Sequence, residues 1–175
     1  MLSPINNPHL RSKQTDMKPL QSDTTICDLV PSDYASIDEL VARLPEWFDE
    51  RACSTSIPID IKHQRGFVAK RQGKVVGFIT LYIAEGKLNI GWLGVQHEIH
   101  RQGIGRLLLA KAEDVARQLG VPELALYTLG DGVDYEPYER TRRFYFANGF
   151  QVYQRSQTDN DGCPEEIKLS KKLVF

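Results

Sequence analysis

The chain has 175 residues, with 22 Lys or Arg against 23 Asp or Glu, which gives a formal net charge of −1. This balance excludes the strong electrostatic field that favours a nucleic acid or a membrane surface as partner. Cys27, Cys53 and Cys163 are widely spaced, so they match neither a disulfide framework nor paired metal ligands. An apolar share of 41%, without a bilayer-length apolar run or a signal-peptide core, predicts a soluble cytoplasmic protein with no metal site.

Residues 1–23 predict a flexible N-terminal arm, because they are polar, interrupted by prolines and without a hydrophobic period. Met17 lies close to the point where the ordered pattern begins, so an over-extended start and a natural tail are both open interpretations. Residues 24–175 are enough to bury a substantial core and predict a single domain.

The first ordered segment predicts a strand and then helices. Thr24 to Val30 alternates well enough for a strand, and Pro31-Ser32-Asp33 is typical of a helix start. Apolar residues then recur at helical spacing: Ile37, Leu40, Val41 and Leu44. Pro45 ends this helix, and Glu46 to Phe48 predicts a second, short one. Residues 51–63 show no clear period and predict a loop.

The next segment predicts a three-stranded antiparallel meander. Its strands are Gly66 to Arg71, Val75 to Ala84 and Leu88 to Val95, and the second is apolar on both faces. Short turns centred on Gly73 and Gly86 separate them, as expected for hairpins.

A glycine turn and a helix follow the meander. Gly103-Ile104-Gly105 precedes an amphipathic run that Gly120 and Pro122 end. The predicted apolar face comprises Ile104, Leu108, Ala112, Val115 and Leu119, with Leu107 and Ala116 alongside. The unpaired N–H groups of such a helix start suit a phosphate, although a simple tight turn stays an alternative. The dinucleotide fingerprint is excluded, because Leu108 stands where its third glycine would be. The Walker pattern is excluded, because Arg106-Leu107 follows Gly105 in place of Lys and Ser or Thr.

The last third predicts a strand at Glu123 to Leu129, an acidic loop at Gly130 to Pro137 and a helix at Tyr138 to Asn148. Phe150 to Gln157 and Glu166 to Val174 predict a closing hairpin. The whole is an α/β (α+β) pattern with a mixed, mostly antiparallel sheet of six to seven strands and about four helices. The crossover into the strand that begins at Glu123 is predicted to be parallel.

Two motifs in this order of elements resemble the GNAT superfamily of acyl-CoA-dependent N-acyltransferases, over roughly residues 24–175. One is Leu93-Gly94-Val95 followed, after the loop, by Gly103-Ile104-Gly105, which matches the family pattern Q/R-x-x-G-x-G/A. The other is Phe144-Tyr145 followed by Gly149-Phe150. His100 departs from the family pattern, because it occupies the Gln/Arg position.

The resemblance implies acetyl-CoA as the acyl donor. Its pyrophosphate is expected at the turn, on His100, Arg101, Gln102, Gly103, Ile104, Gly105 and Arg106. Its pantetheine arm is expected between the splayed fourth and fifth strands, on Leu93, Gly94 and Val95. Either the His100 imidazole or the Arg101 guanidinium takes the role of the missing Gln/Arg. Arg101, Arg106 and Lys111 are candidates for the 3′-phosphate, or are solvated surface charges.

The resemblance further implies an N-acetyltransferase in which a primary amine attacks the thioester directly. The Leu93 N–H is expected to polarise the thioester carbonyl, and Tyr145 to act as the general acid, with a core aromatic as the alternative for Tyr145. Candidates for the base are Asp131, Asp134, Glu136, Glu139 and His97, unless the acidic residues merely form a solvated loop. Candidate walls of the acceptor pocket are Trp47, Phe48, Tyr135 and Tyr138.

The expected partner is a small-molecule or peptidyl amine, with no nucleic acid and no membrane. The family's C-terminal hairpin often contributes to dimers, so a homodimer is an open expectation. The alternative function is a non-catalytic acyl-CoA-binding regulatory module. Tyr145 favours the enzyme, because a binding module has no need of a proton donor at that position.

Overall fold

The computed structural model describes residues 23–160 and 163–175. All but the last residue of the predicted N-terminal arm lies outside this part. The strands are β1 (Thr24–Asp28), β2 (Arg65–Arg71), β3 (Lys74–Ala84), β4 (Lys87–Val95), β5 (Glu123–Leu129), β6 (Gln151–Gln157) and β7 (Glu165–Lys172). The α-helices are α1 (Tyr34–Ala42), α2 (Ile57–His63), α3 (Ile104–Leu119) and α4 (Glu136–Ala147).

The seven strands of the described part form one sheet in the order β1-β2-β3-β4-β5-β7-β6. Neighbouring strands run antiparallel except β4 and β5, which are parallel. Gln72-Gly73 and Glu85-Gly86 join the meander strands, and all four residues have positive φ, as two-residue hairpin turns require. The predicted mixed, mostly antiparallel sheet is confirmed.

Helices cover the two faces of the sheet and divide the apolar interior into two clusters. The larger cluster places α3 and Tyr145 of α4 against one face. The smaller places α1, α2 and Phe48 against the other. Because successive side chains of a strand point to opposite faces, the position of a residue along its strand decides which of the two clusters its side chain joins.

Two sequence expectations for the first half are wrong. Residues 51–63, predicted as a loop, form a π-helical turn (Ala52–Ser56) that continues into α2. Only Ile57 and Ile61 are buried in α2, which is too few for a visible period. Residues 46–48, predicted as a helix, form a turn after α1, where Trp47 N and Phe48 N both donate to Leu44 O.

Smaller corrections concern α3 and α4. The buried face of α3 includes Leu109, whereas Leu107 and Leu119 are 38% and 49% exposed. The α4 helix begins two residues before the predicted Tyr138, because Pro137 falls in its first turn, where a missing N–H does no harm. In the part of the chain that the structure describes, no helix is both long and apolar enough to cross a membrane.

The central feature of the sheet is a split between its two parallel strands. β4 and β5 pair only through Leu88 with Leu124 and Asn89 with Ala125. Beyond these pairs the strands separate, although β4 stays bonded to β3 and β5 to β7. A register shift in β4, opposite the segment between Ile79 and Leu81, accompanies the separation. The splayed strands that the resemblance implied are confirmed.

Candidate active site

The edge of β4 that faces the split carries backbone groups that no neighbouring strand pairs with. Gln96 N donates to Val76 O of β3 at 2.9 Å, so the polar groups of Gln96 point towards β3. Because these groups alternate along a strand, those of Val95 and Leu93 point the other way, into the split. The split edge therefore offers N–H donors and carbonyl acceptors to an extended, amide-containing ligand.

The second component is the N-terminus of α3. Gly103 precedes the helix with φ of +85°, a left-handed conformation that suits glycine. The first bond of the helix runs from Leu107 N to Gly103 O, so the N–H groups of residues 104–106 have no partner within the helix. No side chain of the described residues caps them. With the dipole of a 16-residue helix behind it, this end favours an anion.

A single cavity of about 480 Å³ joins these two components. It extends from Gly103–Arg106 along Leu93–Val95, and helix α4 forms its other wall with Phe144, Tyr145 and Asn148. Gly105 is required for this shape, because a Cβ there would lie 3.0 Å from Cζ of Phe144. The cavity thus links an anion site to an amide-binding edge.

Tyr145 lies at the centre of the α4 wall. Its ring packs edge-on against Phe144 and Phe150, with centroids 5.2 Å and 5.3 Å away, and the residue is only 6% exposed. Burial raises the pKa of its phenol well above the ordinary value of 10. The hydroxyl makes no hydrogen bond to any residue in the described ranges, yet the residue lines the cavity. It is therefore a protonated donor available to a ligand.

The family model of the acetyltransferase (GNAT) family matches residues 32–150, which is more than half of the chain. The protein belongs to the GNAT family. An uncharacterized N-acetyltransferase of Chlorobaculum tepidum is 35% identical over 125 residues, covering 65% of this chain and 74% of the relative.

Solved structures agree in fold. A GNAT-family structure from Desulfovibrio desulfuricans has a TM-score of 0.74 at 20% identity, covering 86% of this chain and 99% of that one. The PaiA N-acetyltransferase of Thermoplasma acidophilum, solved in complex with coenzyme A, has a TM-score of 0.67 at 22% identity, covering 85% and 98%. At these identities the likeness is one of fold.

His100, the departure from the GNAT motif, contacts the split edge. Its Nε2 lies 2.7 Å from Val95 O, and since a carbonyl only accepts, Nε2 carries the proton. The neutral ring has no second N–H, so only the imidazolium has a donor left for a phosphate. The expected phosphate contact of His100 stays a prediction, and its observed partner is a backbone oxygen that the pantetheine arm was expected to use.

Replacing His100 by Leu is expected to strengthen coenzyme A binding by about two- to twelvefold. The substitution frees Val95 O, and a hydrogen bond of this kind contributes about 0.5–1.5 kcal/mol. Isothermal titration of coenzyme A into both proteins measures the change. Weaker binding by the variant would show instead that the imidazole contacts the cofactor itself.

The basic residues near the turn have different surroundings. Arg101 has φ of +63° at the apex of the turn, and Arg106 Nε donates to Asn148 Oδ1 at 3.4 Å, which links α3 to α4. Lys111 places its ammonium 4.9 Å above the ring of Phe67. Of the three candidates for the 3′-phosphate, Arg101 and Arg106 border the cavity, and Lys111 does not.

Three of the four acidic candidates for the base form exposed ion pairs. Asp131 pairs with Arg155, Glu136 with Arg140, and Glu139 with Arg143. The hydrogen bond from each arginine is the main cause that lowers the pKa of Asp131 and of Glu136. A carboxylate with a lowered pKa is a weaker base, so these pairs favour the interpretation as a solvated loop.

The predicted aromatic walls are joined by two hydrogen bonds. Trp47 Nε1 donates to Pro137 O at 3.1 Å, and the Tyr138 hydroxyl donates to Trp47 O at 2.9 Å. The Trp47 ring also packs within 5.6 Å of His100 and 6.1 Å of His97, the fifth base candidate. These contacts tie the segment after α1 to the start of α4 across the cavity.

Three further groups around the site were not predicted from the sequence. Arg71 donates to Gln102 Oε1 at 2.8 Å and so holds the glycine turn. Arg142 bonds the carbonyls at the end of β5, and Asp60 of α2 accepts a bond from Trp92. Pro58 in the first turn of α2 and the spacing of Ile57 and Ile61 were usable helix signals. The hydrogen bonds span 12 to 32 residues and leave no local signal.

Proposed function

We propose that this GNAT-family protein transfers an acetyl group from acetyl-CoA to a primary amine of a small molecule or peptide, by direct attack in a ternary complex. The observation that carries the proposal is the cavity described above. It joins a helix N-terminus, an unpaired strand edge and a buried phenol, which suit a phosphate, an amide chain and a leaving sulfur respectively. Acetyl-CoA supplies the activated acyl thioester.

The binding residues fit a long anionic cofactor. The N–H groups of residues 104–106 face one end of the cavity, where a pyrophosphate would gain both hydrogen bonds and the helix dipole. The backbone groups of Leu93 and the N–H of Val95 face the split, so amides would extend β4 in the manner of an added strand, whereas Val95 O is bonded to His100.

Two groups act on the reacting atoms. The Leu93 N–H polarises the thioester carbonyl, and losing one such donor typically raises the barrier by about 2.7–4 kcal/mol. Tyr145 donates a hydrogen bond to the departing sulfur and is the nearest source of its proton. Burial raises the pKa of Tyr145, so it gives up its proton to the thiolate less readily than an ordinary phenol would. The hydrogen bond from its hydroxyl to the sulfur therefore contributes more to the rate than full proton transfer does.

An alkyl amine has a pKa of about 10.4, so it must lose a proton before it attacks. The lowered pKa values of Asp131 and Glu136 make these carboxylates weak bases, which favours loss of this proton to water before binding. The near-zero net charge of the chain supports an amine acceptor over a nucleic acid. The β6–β7 hairpin as a homodimer interface remains a prediction.

Incubating the protein with acetyl-CoA and a panel of primary amines is expected to release free thiol and to add one acetyl group to some of them. Thiol detection measures the rate, and mass spectrometry identifies the acetylated product. Aniline, an apolar amine that is a weak nucleophile, serves as the control and should be acetylated slowly. Tight coenzyme A binding without thiol release from any amine would favour the alternative, a non-catalytic acyl-CoA-binding regulatory module.

A further inference from the structure

Helix α2 places two hydrogen-bond acceptors beside the split edge of β4. Asp60 Oδ2 accepts a bond of 2.7 Å from Nε1 of Trp92, the residue directly before Leu93. Gln64 follows Asp60 by four residues, at the end of the helix, so the two side chains lie on the same face. The face of the sheet covered by α2 is opposite to the one covered by α3, so these acceptors approach the split from its other side.

Gln64 carries an acceptor without a donor. Among the described residues, its Oε1 is the buried side-chain polar atom that has no hydrogen-bond partner. It lies against Gly91, since a Cβ on Gly91 would stand 2.3 Å from this oxygen. Leaving such an oxygen unpaired is unfavourable, so an N–H donor from a ligand would be stabilised by it, provided that the Gln64 side chain turns to expose this buried atom.

The surroundings of Asp60 are aromatic and acidic. Successive side chains of a strand point to opposite faces of the sheet. Leu81 and Leu126 face α3, so their neighbours Tyr82 and Tyr127 face the side covered by α2. Burial is the main cause that raises the pKa of both phenols, and the Asp60 charge raises each further. Tyr127 nevertheless remains 54% exposed and can be contacted by a ligand.

Two charged residues of β7, Glu166 and Lys168, lie on the same face as Tyr127. Glu166 of β7 also raises the pKa of Tyr127. The nearby cation, Lys168, pairs with Glu85 at 3.7 Å. Oδ1 of Asp60 has no partner within the described ranges. A free carboxylate oxygen between tyrosine rings is a suitable environment for an ammonium group, through charge and through cation–π attraction.

We propose that Asp60 and Gln64 form the acceptor subsite, and that the acceptor carries a second positive charge several bonds from the reacting amine. The Trp92 side chain separates the Asp60 carboxylate from the Leu93 N–H, so this carboxylate is too distant to bind the nitrogen that attacks the thioester. This inference rests on the proposed function for its chemistry, and its binding test does not require turnover.

Isothermal titration of two probes into the protein with coenzyme A present tests the charge requirement. The wild-type chain is expected to bind 1,5-diaminopentane at least about tenfold more tightly than n-pentylamine. Asp60→Asn keeps an acceptor for Trp92 Nε1 but removes the charge, so it should lose this preference. Asp114→Asn, at an exposed ion pair on α3, is the matched control and should keep the preference.

Equal binding of the two probes by the wild-type chain, or an undiminished preference in Asp60→Asn, would overturn the inference. Asp60-dependent diamine binding without thiol release would support the subsite and contradict the acetyl transfer. The two failures are therefore distinguishable.

Gln64→Met tests the unpaired oxygen separately. The substitution removes a buried acceptor at similar volume, so it is expected to raise the melting temperature whatever the role of Gln64. As an acceptor for the ligand, Gln64 should also contribute to affinity, and the variant should bind both probes about threefold or more weakly. A raised melting temperature with unchanged affinity for both amines would assign Gln64 a structural role only.

Discussion

Replacing Tyr145 by Phe is expected to lower kcat for amine acetylation by about 100-fold, the lower range for loss of a general acid. Affinity for coenzyme A should stay within about twofold. The reason is geometric: the substitution removes one oxygen that has no hydrogen-bond partner among the described residues, and it keeps the ring between Phe144 and Phe150. Thiol release measures turnover, and isothermal titration measures cofactor binding.

Tyr153→Phe is the matched control for this prediction, because Tyr153 lies on β6 and is 42% exposed. That variant should turn over like the wild type. The pKa of Tyr145 is raised above 10, so the phenol stays protonated at neutral pH and its ionisation should not limit activity there. Unchanged turnover in Tyr145→Phe would leave Tyr145 as a core aromatic only.

The parts of the site that the sequence could predict depend on local signals. Gly103 and Gly105 stand at a strand-to-helix junction, where backbone conformation and the helix start require small residues. The strand that ends at Val95 and the helix face from Ile104 have clear periods. These local rules, together with the family resemblance, were enough to predict the sheet and the crossover, and the cofactor-binding residues stay a prediction.

The proposed acceptor subsite could not be predicted from the sequence, because it depends on tertiary contacts. Asp60 is an ordinary helix-surface residue in the sequence, and only the Trp92 bond, across 32 residues, gives it a position near the split. The acidic loop, in contrast, looked functional because of its composition, whereas Asp131 and Glu136 are engaged by nearby arginines. Charge in the sequence does not show which carboxylates are already paired.

Side-chain hydrogen bonds hold the strands on both sides of the split. On the β4 side, the Thr80 hydroxyl accepts from Trp92 N at 3.0 Å, so a side chain replaces a ladder bond at the register shift. On the β5 side, the carbonyls of Leu129 and Gly130 accept bonds of 3.1 Å and 2.9 Å from Arg142 of α4. Helix α4 is thereby fixed against the end of β5, on the far side of the cavity from α3.

Arg142→Met should therefore lower the melting temperature by about 4–10 °C. Arg142 is 7% exposed, and its removal leaves two carbonyls without their donor, at about 1–3 kcal/mol each. Met refills part of the volume and removes a buried charge, so a net loss of about 2–3 kcal/mol is expected, which converts to this shift in a chain of this size. Differential scanning calorimetry measures it.

Arg143→Met is the control, because Arg143 is the next residue of α4, is 74% exposed and pairs with Glu139. It should shift the melting temperature by no more than about 2 °C. Since Tyr145 lies one turn beyond Arg142, the Arg142 variant should also lose turnover below its melting transition, whereas the Arg143 variant should not. Equal stability and turnover in the two variants would show that the end of β5 does not position α4, and that other contacts keep the split open.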